Sequence, residues 1–293
     1  MEKRLKRVAV ITAIVMGALL LFAIVLGVLN ALVADGRWSF GWKDYRYDEE
    51  GYESGQGSIP SSAITKIDLD WIDGGVEIVS CQDAYISLSE TANTALPDSA
   101  ELRWKVDADG TLYVKYRQSD WFFGIGSDNR EKQLTLRIPE SYFAQLNEIE
   151  IKVSSSNVVI RNVTAKALEF ESVSGALVVQ GCDFSTFSAE SKKGKLVADG
   201  LMSSEVSVEA SEGDVDFKFP NCPTELEISS TYGSVTLRLP QNASFALAWE
   251  TKKGSLSHDL SLTQSGNRYI AGEGSADFEV KTTSGNLTLT VIE

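Results

Sequence analysis

From Ala63 onward one template recurs along this chain about every 20 residues, and that recurrence limits the fold more than any other feature. Two apolar residues alternate with polar ones; a small residue, a two-residue corner and a glycine follow; then two more alternating apolar residues. The corner glycines are Gly74, Gly175, Gly194, Gly213, Gly233, Gly254 and Gly285, with Ser156 in the equivalent place of one unit. From Ser156 the spacings are 19, 19, 19, 20, 21 and 31. A fixed period of this size marks a repeat architecture. Seven and five residues before each corner stand pairs such as Ile67/Leu69, Leu168/Phe170 and Phe278/Val280; two and four after it stand pairs such as Val76/Ile78 and Val215/Phe217. Of these 32 positions 31 are apolar, His258 being the exception. Strict alternation predicts strands with one face buried.

Two architectures accommodate strand–corner–strand units. Asp73-Gly74, Ser174-Gly175 and Glu212-Gly213 suit tight hairpin turns, which would give an antiparallel meander. Alternatively each unit is one coil of a β-solenoid, two strands per coil, stacked on the next. A meander has no need of constant hairpin length, whereas coil circumference fixes a solenoid's period. The sequence therefore predicts an all-β solenoid over 63–293 with an inserted cap at about 79–148. Strand-like pieces at 102–106, 112–116 and 134–138 favour a cap over a loose loop. Within it, Trp121, Phe122 and Phe123 form an apolar, glycine-flexed segment suited either to touching lipid or a partner, or to plugging the core. The 31-residue gap before Gly285 contains a turn-rich excursion at 264–268, expected as a longer hairpin in the last coil. The edge at 287–292 is expected to be uncapped and open to pairing with another chain.

Residues 8–33 carry no charge, and as a helix they would span about 39 Å, enough for a hydrocarbon core of roughly 30 Å. A cleaved signal peptide would have a shorter apolar region and a small-x-small site, and Leu32 stands where a small residue is required. An uncleaved transmembrane helix is therefore expected. Lys3, Arg4, Lys6 and Arg7 place the tail 1–7 in the cytoplasm and the bulk of the chain outside. The linker 34–62 opens with Trp38, Phe40 and Trp42, residues suited to the membrane–water interface or to packing on the next domain.

Without the first seven residues the chain holds 23 basic against 40 acidic side chains, a net −17. That excludes a nucleic-acid partner, which would need a basic face. Acidic residues dominate the outward positions before the corners: ten of sixteen, including Glu169, Glu171, Glu190, Glu209, Glu227 and Glu250. Stacked strands would bring these to ~4.8 Å spacing, where like charges repel. A basic partner or Ca²⁺ or Mg²⁺ would relieve that repulsion; alternatively the stripe is a solvated face that opposes aggregation. No dedicated calcium loop is present, and no cofactor is implied. Three cysteines (Cys81, Cys182, Cys222) without a C-x-x-C pair give no zinc site, and are expected as free thiols. One histidine at a core position leaves no Ser–His or Cys–His engine. Paired carboxylates abound, but as strand-surface residues they give no sign of a cleft, so no enzyme is expected.

The repeats V-S-G-A-L-V-V (173–179), A-S-E-G-D-V-D-F (210–217), T-Y-G-S-V-T-L (231–237) and T-S-G-N-L-T-L (283–289) resemble the bacterial DUF4097 proteins, a β-strand-repeat family labelled as adhesin-like. So does L-T-L-R-I-P (134–139) leading into I-E-I-K-V (149–153). The resemblance covers roughly 63–293 and supplies no catalytic residues. Together with the span expected at 8–33, it implies a single-pass protein of the bacterial cell membrane whose outer domain binds an envelope polymer or surface ligand. A sensor or regulatory role beside a membrane protein in envelope-stress signalling is the second role it implies.

Overall fold

The computed structural model describes residues 50–60, 64–116 and 131–292. Each repeat is one coil. The strand before the corner joins a 13-stranded leading sheet, and the strand after it joins an 11-stranded trailing sheet. In spatial order the leading strands are Thr111–Lys115, Lys66–Trp71, Glu148–Val153, Thr164–Ser174, Asp183–Lys193, Met202–Glu212, Glu225–Ser230, Ala276–Thr282 and Phe245–Thr251. Their trailing partners run from Lys132–Pro139 and Gly75–Cys81 to Leu287–Val291 and Leu256–His258. Every one of these strands pairs with its stack neighbour in parallel, as with Leu168↔Phe187 and Val179↔Ala198. The two strands flanking a corner lie in different sheets, so the corner is no hairpin.

The apolar columns fill the space between the sheets. Of the 32 column positions, 29 are buried; Trp249 and Leu256 are half-buried and His258 is exposed, all three on the coil at the stack's far end. The exposed His258 stands on the terminal strand of the trailing sheet, its Nδ1 2.9 Å from the Leu260 carbonyl oxygen.

Close approach explains the corner glycines. Each corner stacks on the carbonyl oxygen of the corner beside it: a Cβ on Gly194 would lie 2.0 Å from Gly175 O, and one on Gly233 only 1.7 Å from Gly213 O. Behind the corner, inward hydroxyls tie the turn together. Ser230 Oγ donates to Gly233 O at 2.9 Å, and Thr282 Oγ1 to Gly285 O at 2.7 Å. A second column closes each coil. Asn162, Gly181 and Gly200 adopt φ of 53°, 60° and 76°, the left-handed region that Gly and Asn enter most readily. The next residue points inward: Val163, then Cys182, then Leu201, each fully buried. Cys182 is thus a small core residue in the connection between two strands. All three cysteines are free thiols.

The ends depart from sequence order. The last coil in sequence is not last in space: Ala276–Thr282 and Leu287–Val291 slot between the coil of 225–239 and that of 245–258. The expected open edge at 287–292 is therefore corrected, because its strand is paired on both sides. The excursion does form a hairpin, Leu262–Ser265 with Arg268–Ala271, which pairs antiparallel with Phe245–Thr251 and covers the leading sheet's far edge. At the opposite end the break holds a further coil, Thr111–Lys115 and Lys132–Pro139. It is capped by antiparallel strands Arg103–Val106 and Tyr85–Ala92, and by Glu53–Ser54 and Gly57–Pro60 from within the expected linker. Short edges and an edge proline discourage pairing with other chains.

No helix among the described residues is long and apolar enough to cross a membrane. The span expected at 8–33, the interfacial Trp38, Phe40 and Trp42, and the segment Trp121, Phe122 and Phe123 lie outside the described residues.

Candidate binding face

Alternation sends every second residue of the leading strands outward, and parallel in-register pairing lines those residues up in rows across the sheet. Four residues before the corner, the row reads Lys115, Asp70, Lys152, Glu171, Glu190, Glu209, Ser229, Lys281, Glu250. Six before the corner it reads Tyr113, Asp68, Glu150, Glu169, Ser188, Ser207, Glu227, Glu279, Ala248. The acids of the sequence stripe do share one face, but they are not alike.

Toward the capped end they are neutralised. Lys115 Nζ lies 2.6 Å from both Asp68 Oδ1 and Asp70 Oδ2. Lys66 Nζ lies 2.8 Å from Glu148 Oε1 and from Glu150 Oε2, and Lys152 also bonds Glu150. Burial works against the charge of Lys115, but its two aspartate bonds outweigh it and raise the ammonium pKa above the usual lysine value. Burial likewise opposes ionisation of Glu150; the bonds from Lys152 and Lys66 prevail and hold its carboxyl below the ordinary value. Of these bases, Lys152 stands in the expected stripe and Lys66 on a strand of the repeat, whereas Lys115 comes from the break, whose place in the stack the sequence did not reveal.

Further along, Glu169, Glu190, Glu209, Glu227 and Glu250 are exposed and have no ion-pair partner among the described residues. Glu171 stands beside Lys152. Ser188, Ser207 and Ser229 interrupt the glutamates, so Glu169, Glu209 and Glu227 each meet a hydroxyl on one side, which moderates repulsion of about 1 kcal/mol per close pair in water. At Ser229 the short side chain leaves a shallow groove bounded by Glu209, Glu250, Lys281, Thr251 and Thr282. No group of three or more His, Cys, Asp or Glu among the described residues is arranged to hold a metal ion.

One charged pair was not anticipated. Lys132 occupies a corner, and its side chain runs inward to Glu90, Nζ to Oε1 3.0 Å, with both side chains almost wholly buried. Nζ also bonds Ala100 O and lies 4.3 Å from the Tyr116 ring centre, while Glu90 Oε2 accepts the Leu102 N–H at 2.8 Å. The pair ties the cap to the coils. Both residues sit in the break of the repeat, where periodicity offers no guide; the one hint is a lysine standing where other coils have glycine.

The profile of the family described as Toastrack DUF4097 matches residues 64–290. No curated protein matches the chain. Among solved structures it is similar to a putative adhesin from Parabacteroides distasonis (12% identity, 83% of this chain and 98% of that one, TM-score 0.45). It is also similar to a putative adhesin from Bacteroides fragilis (17%, 83% and 98%, 0.42) and to a putative lipid binding protein from Parabacteroides distasonis (12%, 83% and 98%, 0.40). Likenesses this distant bear on neither ligand nor activity. With its profile matched over nearly all of the repeat region, the chain belongs to the DUF4097, or Toastrack, family.

Proposed function

We propose that this protein is a non-catalytic binding module of the bacterial cell envelope, anchored by residues 8–33, which engages a cationic partner through the leading face of its solenoid. The observation that carries this reading is the run of exposed Glu169, Glu190, Glu209 and Glu227 without basic partners among the described residues, beside acids on the same sheet that are fully paired. An in-register array of unneutralised carboxylates is complementary to repeated basic groups on a polymer or a protein surface. It stands on an open sheet, where water is not excluded, and not in a cleft that would enclose a reacting substrate.

A photo-crosslinking residue at Ser207, in cells, tests the reading. The expected result is a captured partner that disappears when Glu169, Glu190, Glu209 and Glu227 are changed to Gln. Capture should also weaken as salt shortens the Debye length from ~8 Å toward ~3 Å. Wall polymer or a foreign surface captured regardless of which span anchors the chain supports adhesion. A membrane protein whose capture is lost on exchanging the span supports the regulatory role instead. Capture indifferent to the four charges refutes the acidic face as the site.

A further inference from the structure

The trailing sheet presents a different surface. Its outward row, three residues after the corner, reads Thr135, Glu77, Val159, Val178, Val197, Asp216, Thr236, Thr288, Ser257. Three consecutive valines thus form an apolar strip on the solvent side of the sheet. In the same coils the two leading rows carry only Glu, Ser and Lys. Charge flanks the strip at its Val197 end and in the coil beyond it. One residue after the corner stand Lys195 and Asp214 in adjacent coils; five after it, in the same coils, stand Asp199 and Lys218. Across the strip the signs are therefore opposite: Lys195 against Asp199, and Asp214 against Lys218. Within the chain, however, Lys218 already lies 3.1 Å from Asp199 and Lys195 3.7 Å from Asp216, both as surface pairs.

We infer that this face is a self-association surface on which two copies of the chain pack trailing sheet to trailing sheet about a two-fold axis parallel to the stack. That rotation lays each strand over its own copy running the other way. Val159, Val178 and Val197 then each meet their own counterparts. Lys195 meets the partner's Asp199, and Asp214 meets the partner's Lys218, each contact occurring twice as isologous packing requires. Glu77 and Asp216 also approach their own counterparts, but each brings its own arginine: Arg161 bonds Glu77, and Arg238 bonds Asp216. The other two-fold in the plane, parallel to the strands, would set Glu77 against the partner's Asp216 and bring together only Arg161 and the partner's Asp199. The charge pattern selects the first.

That axis also leaves residue 50 of both copies at one end of the pair, as the anchoring proposed above requires. Five strands at ~4.8 Å spacing and four residues at ~3.3 Å give a face of roughly 300 Å² per copy, below the ~800 Å² of a standard interface. The pair is accordingly weak in free solution and forms where a shared membrane raises the effective concentration.

Oxidative crosslinking of the full chain in native membranes tests this. Val178→Cys, which lies on the axis, should give several-fold more crosslinked homodimer than Ser207→Cys on the leading face, with the parent chain reporting the background of its own thiols. On the Val178→Cys chain, Asp199→Lys alone and Lys195→Asp alone should each reduce the dimer several-fold, and together should restore it. Val178→Cys crosslinking no better than Ser207→Cys overturns the inference. So does a crosslinked species containing a different protein, or a double charge exchange that fails to restore the dimer. Fractionation of the same cells reports anchoring separately, so failure of the anchor and failure of the pairing are told apart.

Discussion

Replacing Gly233 with alanine separates two reasons why a corner needs glycine. Gly233 does not have a positive φ, so an alanine is conformationally acceptable there; what it lacks is space. Its Cβ would lie 1.7 Å from Gly213 O, where a real Cβ keeps at least 3.0 Å. The corner must therefore move by about 1.3 Å against its stack neighbour. Neighbouring coils are held there by Tyr232 N–H to Ser211 O at 3.1 Å and Val215 N–H to Ser234 O at 2.9 Å. Stretching both beyond bonding range costs about 1–3 kcal/mol each. Gly233→Ala should then destabilise the protein by about 4 kcal/mol. Gly266→Ala is the counterpart: φ there is +62°, but nothing lies within 4 Å of the built Cβ, so its cost is the left-handed penalty alone, about 1–2 kcal/mol. Equilibrium urea unfolding followed by circular dichroism measures both. If Gly233→Ala costs no more than Gly266→Ala, close stacking is not why Gly233 is glycine.

The inward hydroxyls behind the corners should divide into two classes. Ser230→Ala removes the bond to Gly233 O and should cost about 1 kcal/mol, whereas Ser172→Ala, whose Oγ is buried without a partner, should be neutral or slightly stabilising; the same unfolding assay compares them. At the cap, Lys132→Met or Glu90→Gln alone leaves one member of a buried pair behind and should cost about 3–5 kcal/mol. The double variant should cost less than the sum, and strict additivity would show that the two do not interact. Acid should weaken the capped end through Glu150. Its folded pKa lies below the ordinary 4.5, so its contribution is present above that value and is lost as pH falls through the folded pKa. Melting temperatures followed from neutrality to about pH 3 should fall less steeply for Glu150→Gln than for the parent, and equal slopes would remove Glu150 from the network.

Much of this protein is legible because a solenoid repeats one local problem. Alternation in 168–170 and 177–179 states which side of each strand faces the core, and the constant period states that the strands turn a corner instead of folding back. The closing column of Asn162, Gly181 and Gly200 was equally available: it follows the same 19-residue period, each member preceding an apolar residue. Its demand for a left-handed backbone is local, and so it is written locally.

What the chain does not write locally is which coil lies beside which. The coils share one apolar pattern, which does not distinguish the coil of 276–291 from that of 245–258 as neighbour of 225–239; in the structure the first takes that place and the hairpin at 262–271 covers the second. The leading face inherits that uncertainty. The sequence set the glutamates on one side, because strand alternation requires it. Only the stacking order brought Lys115 to Asp68 and Asp70, because charge neutralisation depends on neighbours far apart in the chain and about 5 Å apart in space.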